Sequence, residues 1–192
     1  SALTLLNCTI RDSQWGISFF SGAPATISNC TFTNNSVAAF YYYADGAVAT
    51  LKNTTISGNL GDGIRLEAGE IILENSIVAG NGNEFYVRDD GFSTQILTNA
   101  GGNLIGDNTT VETEFPAGPL VGTTANPVEP KLAPLADYGG LTPTMPPLPG
   151  SPAINAGGST DLLTDQRGFP RVIGGTVDIG AVEAGSADFD PD

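Results

Sequence analysis

Along the first half of the chain, short runs of alternating apolar and polar residues are punctuated by Asn, Asp or Gly, and one phrase keeps returning. It reads Asn7-Cys8-Thr9-Ile10, Asn29-Cys30-Thr31-Phe32, Asn53-Thr54-Thr55-Ile56 and Asn75-Ser76-Ile77-Val78, in steps of 22, 24 and 22 residues. Self-similarity at this period marks a solenoid, in which one supersecondary unit cannot bury its apolar side alone and stacks on its neighbours. Each period holds three strand-like runs. In the first these are Leu3 to Leu6, Cys8 to Ile10 and Gly16 to Phe20; in the second, Ala25 to Ile27, Cys30 to Phe32 and Ala39 to Tyr43. The third and fourth follow the same grammar through Asp62 to Glu67 and Glu84 to Arg88. The pattern predicts an all-β fold, a right-handed parallel β-helix with three strands per coil.

Such a coil rises one strand spacing per turn, about 4.8 Å, so equivalent residues stack directly on one another. The recurring Asn suits a left-handed turn position, which it tolerates better than most side chains. Alternation then sends Cys8, Cys30, Thr54 and Ser76 inward, with Ile10, Phe32, Ile56 and Val78 as a second inward row. Thr9, Thr31, Thr55 and Ile77 face outward, and only Ile77 breaks polarity. In the next strand Ile17 and Phe19, Phe40 and Tyr42, Ile64 and Leu66, and Phe85 and Val87 point inside. Its outer surface carries Ser18, Tyr41, Arg65 and Tyr86 in one row, and Phe20, Tyr43, Glu67 and Arg88 in the next.

After Gly91 the period decays through Gln95 to Leu97 and Asn103 to Ile105. The coils are therefore assigned to residues 1–115. Residues 116–185 read as an irregular Pro/Gly-rich cap over the open end of the solenoid, because an exposed last coil is an unpaired sheet edge that recruits other chains. Residues 186–192 form an acidic tail. No comparable cap is visible at Ser1.

Composition narrows the chemistry. Seven basic against 21 acidic residues leave a formal charge of −14, which repels phosphate backbones and anionic lipid surfaces and argues against nucleic acid as a partner. The absence of His removes an imidazole base, a His-ligated zinc site and a Ser-His-Asp triad. No apolar run approaches the roughly 20 residues of a membrane-spanning helix. The chain opens in mid-pattern without Met, and is expected to be a segment of a longer secreted protein.

The second half carries separate phrases in order: Pro130-Lys131-Leu132-Ala133-Pro134-Leu135-Ala136-Asp137-Tyr138-Gly139-Gly140-Leu141-Thr142-Pro143-Thr144-Met145, Leu148-Pro149-Gly150-Ser151-Pro152-Ala153-Ile154-Asn155-Ala156-Gly157, Thr164-Asp165-Gln166-Arg167-Gly168-Phe169-Pro170-Arg171 and Asp178-Ile179-Gly180-Ala181-Val182-Glu183. Together they resemble the choice-of-anchor type Q domain of bacterial surface proteins. The resemblance implies a secreted or surface-attached right-handed parallel β-helix protein and an extracellular or cell-surface location. It implies no particular reaction.

Several residue groups are candidates for chemistry. Cys8 and Cys30, one coil apart, are close enough for a disulfide, although in-register neighbours seldom have the side-chain directions for one and stacked thiols serve as small apolar residues. Asn-x-Ser/Thr sequons occur at Asn7, Asn29, Asn34, Asn53 and Asn108, but a stacked Asn row bonding along the coil axis explains the repeated ones without a sugar. Asp188, Asp190 and Asp192 resemble the start of a calcium loop whose Gly and closing acid are missing, so calcium is the one cofactor considered. Phe20, Tyr41, Tyr43, Arg65, Glu67, Tyr86 and Arg88 form a candidate glycan- or partner-binding face, since aromatic rings stack on apolar sugar faces. Asp62, Glu67, Glu84, Asp89 and Asp90 with Arg65 and Arg88 are the residues a polysaccharide lyase or hydrolase would draw on. A Glu67–Arg88 ion pair between adjacent coils accounts for part of that set. The expected function is a non-enzymatic structural or adhesive extracellular module, self-associating end to end or meeting other matrix and surface proteins. Binding or cleavage of a polysaccharide is the alternative.

Overall fold

The computed structural model describes residues 2–185, and the candidate calcium ligands Asp188, Asp190 and Asp192 lie outside them. Its twelve strands are β1 (Leu3–Leu6), β2 (Thr9–Arg11), β3 (Trp15–Phe19), β4 (Ala25–Ser28), β5 (Thr31–Thr33), β6 (Ala38–Lys52), β7 (Thr55–Ile56), β8 (Asp62–Glu74), β9 (Ile77–Val78), β10 (Asn83–Val87), β11 (Gln95–Asn99) and β12 (Leu104–Ile105). Every strand-to-strand pairing is parallel, each strand meeting its equivalent one coil away. One sheet stacks β2, β5, β7, β9 and β12. The other wraps two faces, because β6 and β8 run unbroken round the corner that β3 and β4 divide between them.

Register follows the repeat. Ile17, Phe40, Ile64 and Phe85 align, as do Phe19, Tyr42, Leu66 and Val87. Both rows belong to one core that also holds Cys30, Phe32, Ile56 and Val78. Asn7, Asn29, Asn53 and Asn75 all take φ near 50°, from 48° to 55°, turning the chain where Asn pays least for left-handed backbone. Cys8 and Cys30 are free thiols. Each donates to the carbonyl two residues back, Leu6 or Ser28, so the two side chains lie side by side instead of bridging. Burial pushes the Cys30 thiol up to about 12, which leaves it unreactive.

The Asn row does not bond along the axis as the spacing suggested. That ladder is built by Asn35, Asn59 and Asn81, each passing an amide to the next side-chain oxygen, at 2.9 Å and then 2.8 Å, until Glu84 accepts from Asn81 at 2.6 Å. The side chains of Asn29, Asn53 and Asn75 turn outward to the C-terminal segment, meeting Thr164, Thr160 and Ser159. Of the five sequon asparagines only Asn34 is exposed.

The C-terminal segment is less a lid on the solenoid than a strap down its flank. Its first part closes the last coil: Val121 bridges Ile105, and Phe115 stacks on Phe85 with ring centroids 5.7 Å apart. The rest covers the outer surface of the second sheet. There Ile77 and Leu104 pack with Ala153 and Ile179 in a second core, which explains the apolar Ile77 in an otherwise polar row. Thr31 donates to Gln166 Oε1 at 2.6 Å, while Gln166 Nε2 donates to Thr9 and Thr142 hydroxyls at 2.8 and 2.9 Å. Thr31, Thr55 and Ile77 are therefore buried, not outward in solvent. Gly180, at φ 101°, comes so close to the sheet that a Cβ would sit 2.7 Å from Thr55 Oγ1 and 2.8 Å from Ile77 Cδ1.

The phrases of the strap serve this docking. Asp165 holds Arg167 in a buried ion pair at 2.8 Å and accepts from the Arg167 and Phe169 amides. Arg171 reaches the carbonyls of Asp178 and Gly180, and Glu183 receives the amides of Ile173 and Asp178 at 2.9 Å. Ile77→Thr, harmless on a bare solenoid face, is expected to cost about 2 kcal/mol in urea unfolding because it strips apolar contact and buries a hydroxyl.

Burial raises the pKa of both Glu84 and Glu183. In the native state these groups hold protons more tightly than in the unfolded chain, so their charged forms oppose folding at neutral pH, and that penalty is relieved as pH falls toward the ordinary value of 4.5. The thermal midpoint is expected to rise between pH 7 and about 5. A midpoint that falls steadily over that interval would contradict the assignment.

Candidate functional site

The face outside β3, β6, β8 and β10 gathers the aromatic and charged residues that the repeat placed there. Parallel register lays Tyr41 against Arg65 and Arg65 against Tyr86. The Arg65 guanidinium sits over the Tyr86 ring, 3.9 Å from its centroid, and 5.9 Å from that of Tyr41. Phe20 meets Tyr41 edge to face at 5.1 Å, and Tyr43 lies 6.4 Å from Phe20. Trp15 joins them, its ring 5.1 Å from that of Tyr41.

The expected second row of this face is only partly formed. A bulge after Tyr42 shifts Tyr43 opposite Ala68, so it no longer aligns with Glu67. Glu67 instead folds back onto the first row. It takes ion pairs from Arg65 at 2.7 Å and Arg88 at 3.2 Å, and a hydrogen bond from the Tyr41 hydroxyl at 3.2 Å. Asp62 binds Arg65 at 3.3 Å and Asp90 binds Arg88 at 3.0 Å. Burial, followed by the neighbouring Glu67 charge, raises the Tyr41 hydroxyl pKa and keeps it a neutral donor.

This geometry alters what the rings offer. One face of Tyr86 is covered by Arg65, so the middle of the ladder presents edges, hydroxyls and compensated charges. Exposed aromatic surface lies at Phe20 (64%), Tyr43 (40%) and, equally, Trp15 and Tyr86 (38% each), of which Tyr86 has one ring face covered by Arg65. Trp15, just before the Gly16 to Phe20 run, is not among the residues expected on this face. The signal that could have found it is register: the positions equivalent to Trp15 are Ala38, Asp62 and Asn83, a row too polar for a large core residue.

Glu84 lies apart from this face, in a pocket of about 370 Å³ with Asp107, Thr109 and Thr124. Its carboxylate is used by the amides of Gly80 and Asn81 and by the Asn81 side chain, so it terminates the Asn ladder. Among the described residues no group of three or more acidic or thiol side chains could hold a metal ion.

The parallel coils, the polar inner ladder and the covered flank together define a β-helical solenoid whose open face is an aromatic and ionic surface. The family model for right-handed β-helix regions matches residues 1–126, and the chain belongs to that family. No curated protein and no solved structure matches the chain.

Proposed function

We propose that the chain is a non-enzymatic adhesive module of an extracellular or cell-surface bacterial protein of the choice-of-anchor type Q kind, and that it holds a glycan against the Trp15–Phe20–Tyr41–Tyr43 end of its aromatic face. The observation that carries this reading is the cluster of exposed rings flanked by hydrogen-bonding side chains on a rigid stack of strands. Apolar ring surface suits the C–H faces of sugars, while Tyr41, Glu67 and Arg88 can address hydroxyls. The same arrangement weighs against a lyase or hydrolase. Asp62, Glu67 and Asp90 are each neutralised by Arg65 or Arg88, so these three carboxylates are engaged in ion pairs and are poorly placed to serve as a catalytic acid or base.

Trp15 is the sole tryptophan, so its fluorescence reports occupancy of this face directly. A bound glycan is expected to shift the emission of the native protein. Trp15→Phe serves as the silent control, and Phe20→Ala weakens affinity about tenfold without lowering the thermal midpoint. Release of reducing ends or unsaturated sugars from any tested polymer would overturn the non-enzymatic reading.

A further inference from the structure

The corner beside the aromatic face differs in length from coil to coil. Between the aligned residues on either side of it, the corners span 20–24, 43–48, 67–70 and 88–96, that is five, six, four and nine residues. The third coil is the shortest and is flanked by the two longest. Its chain can take this tight path because Gly69 has φ 95° and lies where a Cβ would be 2.9 Å from the Tyr42 ring and 3.0 Å from the Ala47 carbonyl. The consequence is a notch of about 270 Å³ across the third coil, with Asp45 and Val48 on one wall, Gly69 and Glu70 on the floor, and Thr94 and Ile96 on the other wall. That volume suits a single sugar-sized group, falling just below the usual range for small-molecule pockets.

The notch has a definite electrostatic character. Asp45 and Glu70 both line it, and no ion pair is formed by either among the described residues. Glu70 only accepts the Thr98 hydroxyl at 2.9 Å. The cations of the neighbouring segments are already held, Lys52 by Glu74 and Asp161, Arg65 by Asp62 and Glu67, and Arg88 by Glu67 and Asp90 at 3.2 and 3.0 Å. Val48 and Ile96 supply apolar wall, and Tyr43, on the same corner as Asp45, ties the notch to the aromatic face. The adjacent ladder shows which charge such surroundings accept: Arg65 lies between Tyr41 and Tyr86 and is gripped by Asp62 and Glu67. A chain of net charge −14 draws polycations in and repels polyanions.

We propose that this notch is a subsite for the protonated amino group of an amino sugar, and that the glycan bound by the module is a polycationic aminoglycan. The proposal rests on the glycan-binding reading and specifies its ligand class. The sugar's ammonium sits between Asp45 and Glu70, its apolar edge lies against Val48 and Ile96, and the polymer continues over Tyr43 onto the aromatic face.

The test compares native protein with Asp45→Asn and Glu70→Gln on a deacetylated β-linked glucosamine polymer, on its fully acetylated counterpart and on a polyuronate, at low and at physiological salt. Glu129→Gln, a remote exposed charge on the strap, is the control for general attraction. Native protein is expected to prefer the deacetylated polymer, with salt weakening it. Each notch variant is expected to lose roughly fivefold on that polymer alone, while the control does not. Equal losses in notch and control variants, or equal binding of acetylated and deacetylated polymers, overturn the proposal. If the acetylated polymer binds and shifts Trp15 fluorescence while Asp45→Asn and Glu70→Gln change nothing, the notch fails and the glycan reading stands. If no polymer binds and Phe20→Ala has no effect, the glycan reading itself fails.

Discussion

In-register parallel stacking is the constraint from which the rest of this molecule follows. Because each coil must place its strands one spacing above the last, every side chain meets its own equivalent, and a residue type that tolerates self-stacking in one row becomes obligatory there. The left-handed Asn at each turn and the inward Cys, Thr and Ser beside it are local solutions to that demand. So is the buried Asn35–Asn59–Asn81 ladder, which keeps its amides bonded along the axis until Glu84 takes the last one. Buried amides left unbonded would weaken the coil, so the ladder needs an acceptor at its end.

A solenoid has three faces, and this one spends them differently. The flank under the strap is closed by apolar contact around Ile77 and Ile179 and by a dense set of hydrogen bonds through Gln166 and the turn asparagines. The buried charges of the strap, Asp165, Arg167, Arg171, Asp178 and Glu183, act on each other and on backbone groups. Their role is to fix a chain with few regular strands into one path. The face outside β3, β6, β8 and β10 is left open, and there stacking of unlike residues produces the Tyr41–Arg65–Tyr86 sandwich.

Rigidity connects these two faces. The strap anchors the second sheet from Thr9 to Leu104, so the strands behind the aromatic surface cannot slide relative to one another. A binding surface presented on such a frame loses little conformational entropy on meeting a ligand. Variation in corner length is then an economical way to shape that surface, because the register shifts it needs are confined to the corner while the strands on either side stay aligned. The short third corner, with Gly69 against Ala47, leaves the stack intact and opens a notch beside it.

The sequence alone determined the coil. Period, turn residues and alternation named the inward rows correctly, and with them the Tyr41, Arg65 and Tyr86 row, because in a parallel stack local position and tertiary neighbour are set by the same repeat. What only the tertiary structure decided depends on contacts between segments far apart in the chain. The strap's path down the flank buried Thr31, Thr55 and Ile77 and drew the turn asparagines outward, since hydrogen-bond partners more than a hundred residues away leave no trace in a local pattern. Trp15 escaped for a related reason, a strand start where alternation gives way to the turn before it. The notch at Asp45 and Glu70 depends on differences between coils, and a reading built on their similarity could not see it.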